Sequence, residues 1–85
     1  MDQKSSPVDW ARFLCELEDA RDHLGNLIEQ IAKAGEFEEE DFGIQFGHIY
    51  SHLNRAWHSR GYVGEVTKEL WVQNSQYPCD LKPLG

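Results

Sequence analysis

The strongest constraint on this chain is an apolar pattern at steps of three and four: Trp10, Phe13, Leu14, Leu17, Ala20, Leu24, Leu27, Ile28 and Ile31. At about 100° per residue these side chains fall on one stripe roughly 140° wide, as in a helix that buries one side. Arg12, Glu16, Asp19, His23 and Gln30 project opposite. Ser6-Pro7-Val8-Asp9 reads as the start. Ser6 is placed to accept from the exposed amides, Pro7 suits the first helical position, and Asp9 favours the positive end. Lys33-Ala34-Gly35 reads as the stop, a cation in the last turn followed by a left-handed glycine. The spacing therefore predicts a helix over residues 7–34, about 40 Å long at 1.5 Å per residue.

A second stripe follows after a short turn at Gly35-Glu36-Phe37. Phe42, Phe46, Ile49, Tyr50, Leu53, Ala56 and Trp57 share one face, Glu38-Glu39-Glu40-Asp41 fill the first turn, and Arg60-Gly61 closes the run. The acidic run is a solvated helix start favoured by the helix dipole. Two helices of similar reach around so short a turn, the second over 38–60, make an antiparallel hairpin. Val63, Val66 and Leu70 allow a short third helix over 64–73, with an extended apolar segment through Trp71 and Val72 as the alternative. Pro78 and Pro83 make 74–85 an irregular tail, which Tyr77 is placed to pin to the core. The expected fold is all-α: a single helical domain, 1–85, built on an antiparallel hairpin.

A chain of 85 residues buries only about 60% of the surface its unfolded form exposes. The hairpin also looks short of partners for its aromatic side chains. Dimerisation into a four-helix bundle is a common closed solution, and a homodimer is the expected state. Charge points the same way. Residues 1–41 hold twelve acids and four bases, whereas residues 42–85 hold three acids and four bases together with three of the four His residues. Two copies can thus set each acidic first helix against the other's His- and Arg-bearing second helix. A net charge of −7 without clustered Lys and Arg argues against nucleic acid and anionic membrane surfaces. The cysteines Cys15 and Cys79 are too few for a disulfide scaffold, and the opening residues contain no apolar signal segment. These features predict a cytoplasmic protein with reduced thiols.

Several residues carry candidate chemistry. Gly43 and Gly47, one turn apart and sharing an edge of the second stripe with Asn54, suggest a close helix crossing; the alternative is a weak start, with the helix beginning near Ile44. His48 and His52, four apart, can share a metal ion, with Asp41 as the nearby third ligand. Arg55 projects in almost the same direction, and a fixed cation there opposes an ion. As a plain alternative, both histidines are ordinary surface residues. His52 with Arg55 three residues later also matches an exposed phosphate-accepting imidazole beside a cation. Arg21, at the edge of the first stripe, either lays its stem on the core or pairs with a carboxylate across the hairpin. Cys15 lies on the polar face among acids, which disfavours the thiolate and so catalysis through it.

Three functions follow. The leading one is a protein–protein interaction or regulatory module without catalysis of its own, its surface formed by Arg12, Glu16, Asp19 and His23 on the first helix and Gly43, Gly47 and Asn54 on the second. The others are a helical protein binding a divalent metal through His48, His52 and Asp41, and a histidine phosphocarrier using His52.

Overall fold

The computed structural model describes residues 4, 6–60, 66–78 and 80–83. It contains three helices: α1 over Pro7–Ala34, α2 over Glu39–Ser59 and α3 over Lys68–Asn74. Among the described residues there is no strand, and no helix is long and apolar enough to cross a membrane.

Pro7 stands at the head of α1 and Asp9 in its first turn, but Ser6 does not cap the amides. Its hydroxyl instead donates to the Asp9 carboxylate, which also accepts from Arg12 at 2.7 Å. The carboxylate is the stronger acceptor and captures the only hydroxyl proton. At the other end Gly35 takes φ 74°, and its amide donates to the carbonyl of Ile31 at 2.8 Å. That left-handed residue stops α1 and turns the chain toward α2. Glu39, Glu40 and Asp41 occupy the first turn of α2.

The two long helices run antiparallel, since Glu16 meets Arg55 near one end and Gln30 meets Gln45 near the other. Their contact lines hold few apolar side chains. Among the described residues the buried apolar set is Ala20, Leu27, Ile49 and Ala56, with Ile31 and Phe42 packed against part of it. Asp9, His52, Asn54, Arg55 and Ser59 are buried alongside.

Helical projection explains this mixture. At 100° per residue the inward side of α1, running through Asp9, Glu16, Ala20, His23 and Leu27, is turned about 70° from the middle of the apolar stripe. α2 is turned similarly, with Ile49, His52, Ala56 and Ser59 inward. In antiparallel helices, turns of the same sense carry both uncovered strips to one side of the hairpin. Leu14, Leu17, Leu24 and Ile28 of α1 and Phe46, Tyr50 and Leu53 of α2 are accordingly exposed.

α3 starts at Lys68, where Thr67 caps the amide of Leu70 at 3.1 Å. The part of the expected third helix at 64–65 lies outside the described residues, as do Gly61, Val63 and Cys79. α3 and the tail wrap the back of α2. Asn54 donates to the Ser75 carbonyl at 3.1 Å, His58 to the Gln76 carbonyl at 3.3 Å, and the Trp57 indole to Asp80 at 2.9 Å. That indole bond, with Arg60, holds the pKa of Asp80 below its ordinary value. Tyr77 stacks on Tyr50 with centroids 6.0 Å apart, and Pro78 is fully buried.

Gly43 and Gly47 do not mark a crossing within the chain: a Cβ on either would meet nothing within 4 Å. Nor is the helix start weak there, because α2 begins at Glu39. Arg21 is exposed and pairs with the adjacent Asp22 at 3.2 Å, reaching no residue of α2. Two opposite effects are expected in urea unfolding. Gly35→Ala should cost about 1 kcal/mol through its left-handed backbone alone. Gly43→Ala or Gly47→Ala should each stabilise by up to about 1 kcal/mol, by removing helix-interior glycine where a methyl group has room.

Candidate functional site

One polar cluster joins the two long helices, and Glu16 is its centre. The Glu16 carboxylate accepts from the Arg55 Nε at 2.5 Å and from the His52 Nδ1 at 2.7 Å. Arg55 and His52 are each only 7% exposed. A buried cation needs such a partner, because leaving it unpaired out of water costs several kcal/mol. Arg55 also donates to the Ser75 hydroxyl at 2.8 Å and lies 4.3 Å over the Trp71 ring. The same guanidinium therefore ties α3 to the hairpin.

Glu16 also orients His52. A carboxylate only accepts, so a proton on Nδ1 faces Glu16 and turns Nε2 away from it. That Nε2 lies 3.0 Å from the Nε2 of His48. His23 of α1 completes a trio: its ring centroid is 4.4 Å from that of His48 and 5.3 Å from that of His52. One nitrogen from each of the three rings lies within 4.8 Å of the other two. Asp19 stands on the same side, and its carboxylate forms a comparable group with Glu16 and His52.

His48 titrates below its ordinary value of 6.5, first through desolvation and then through His23, His52 and Arg55, with Asp19 opposing. Its proton affinity is therefore weaker in the folded protein than in the unfolded chain.

No protein-family model, curated protein or solved structure matches this chain.

Several expected site residues sit elsewhere. Asp41 does not approach the histidines; its carboxylate accepts from Gln45 at 2.8 Å. The third member is His23, which the projection had set on the outer side of α1 with Arg12, Glu16 and Asp19. Glu16 in fact faces α2, and Arg12 is half-buried. Reading the apolar stripe as the contact line misplaced Glu16 and Arg12, because the hairpin closes on the neighbouring strip; Asp19 and His23 stay exposed at its edge. For the same reason His52 is not an ordinary surface histidine, and it is not the exposed imidazole that accepts phosphate: it is buried with both nitrogens engaged. Asn54 is buried against Ser75 and not offered outward. Cys15 is an exposed free thiol.

Glu16→Ala should cost about 3 kcal/mol in urea unfolding, since it strands the buried Arg55 and part of His52. A second expectation concerns pH. Because the folded-state value for His48 is depressed, stability is present above 6.5 and is lost as the pH falls below it. Melting temperatures measured from pH 8 downward should decline across that window, and His48→Gln should reduce the slope.

Proposed function

We propose that this chain is a non-catalytic protein–protein interaction module that works as a homodimer in the cytoplasm, two hairpins closing into a four-helix bundle. The observation that carries this reading is the apolar band on one side of the hairpin. Leu24 is 44% exposed, Phe46 52% and Leu53 48%, and they share that side with Leu17, Ile28 and Tyr50. Contiguous apolar surface from two helices is characteristic of an association face.

The thin interior supports the same reading. A core whose fully buried apolar members include two alanines supplies little of the burial that a small domain needs. Completing the burial of each half-exposed Leu or Phe is worth roughly 1 kcal/mol, and a second copy offers an identical band. A two-fold axis across this face places each band on the other and closes the bundle. Charge plays a smaller part than the uneven composition suggests. The acid of α1 and the bases of α2 already meet inside one protomer through Glu16, His52 and Arg55, so apolar area drives the association. A second copy is the occupant that needs no further partner, and binding of a different protein through the same band is the competing outcome.

Sedimentation equilibrium of the full chain at micromolar concentration should give twice the protomer mass. Leu24→Glu and Leu53→Glu, which place charges in the band at exposed positions outside the polar cluster, should each give a monomer that retains its helical circular dichroism. A monomeric wild-type protein would overturn the homodimer.

A further inference from the structure

The polar side of the hairpin holds a second feature that the association face does not use. We propose that His23, His48 and His52 form a binding site for a divalent transition metal of the Zn²⁺ class, with Glu16 as the residue that orients His52. The site is independent of the homodimer, because its ligands come from one protomer and project away from the apolar band.

Three observations carry it. First, the ligand types and their number suit such an ion. Three neutral imidazoles select zinc and its neighbours over the oxygen-seeking Mg²⁺ and Ca²⁺, and three protein nitrogens with an open fourth position is a known zinc arrangement. Second, the spacing is close to what an ion requires. A tetrahedral zinc with bonds of about 2.0–2.1 Å holds its nitrogens about 3.3 Å apart, and the Nε2 atoms of His48 and His52 are 3.0 Å apart. An ion bound by both nitrogens takes each ring as the neutral tautomer with its proton on Nδ1. His23 supplies the third nitrogen from the other helix, within 4.8 Å of both.

Third, the support behind His52 is of the kind that metal-ligating histidines use. A carboxylate on the far ring nitrogen fixes the tautomer and points the other lone pair at the ion, and Glu16 holds Nδ1 of His52 at 2.7 Å. The objection that Arg55 repels a cation is met by the same geometry. Its guanidinium lies beside Nδ1, 3.0 Å away, on the side of the ring that faces Glu16 and not on the Nε2 side. Glu16 also neutralises it at 2.5 Å. Asp19, on the same side as the imidazoles, contributes a negative field or the fourth ligand.

The test uses untagged full-length protein freed of metal with a chelator. Isothermal titration with Zn²⁺ at pH 7.5 should give one ion per protomer, and Co²⁺ in its place should show the intense visible absorption of a tetrahedral site. Mg²⁺ should produce no heat. His23→Gln and His48→Gln, at exposed positions where the fold is expected to survive, should each weaken Zn²⁺ binding at least 100-fold. Glu16→Gln should weaken it about 10–100-fold, the range typical of orienting partners. Asp41→Asn should leave it unchanged. Absence of binding by the wild-type protein, or binding insensitive to His23→Gln, would overturn the site. Loss of binding in Asp41→Asn would overturn the ligand assignment. Leu24→Glu, which tests the dimer, should still bind one ion per chain; if it does not, the two sites are not independent.

Discussion

The shared carboxylate of Glu16 sets the geometry of the whole hairpin. Two donors of α2, the Arg55 guanidinium and the His52 ring, converge on one acid of α1. None of the three tolerates burial alone, since each then loses its water without replacement. Held together, they fix the rotation of both helices. Ala20 and Ala56, the small residues of the contact line, leave room for the polar side chains to reach across. The same Arg55 carries the constraint outward through Ser75 and Trp71, so the placement of α3 depends on Glu16 at second hand.

One rotation has two consequences. Turned toward Glu16, the contact line draws His23, His48 and His52 together on one side. Turned away from the apolar stripe, it leaves Leu17, Leu24, Ile28, Phe46, Tyr50 and Leu53 on the other. The hairpin is thus two-sided, with the imidazoles on one face, beside Ile44, and most of the exposed hydrocarbon of the two long helices on the other. Apolar area acts without direction and suits association, whereas an oriented imidazole cluster suits a ligand that demands fixed geometry.

The cluster also shows why motif-free chains resist reading by spacing alone. His48 and His52 were visible as a pair because four residues make one helical turn. His23 was not, because the residue that completes the group lies on another helix, and local periodicity holds no information about which side of α1 meets α2. Asp41 was the nearest acid in sequence, yet its side chain is held by Gln45 on its own helix. Gly43 and Gly47 resembled a crossing motif, but among the described residues nothing lies within 4 Å of a Cβ placed on either.

By itself the sequence determined that the chain is all-helical, that α1 ends at Gly35 and that the chain reverses there. Those features rest on interactions between residues a few positions apart: periodic burial, first-turn acids, and a left-handed glycine closing on the carbonyl of Ile31. Only the tertiary structure decided which strip of each helix faces the other. That choice balances apolar burial against the cost of stranding Glu16, His52 and Arg55, which are distant in sequence, and the charged partners won. The angular position of every side chain could be read from its number. Its neighbour across the hairpin could not.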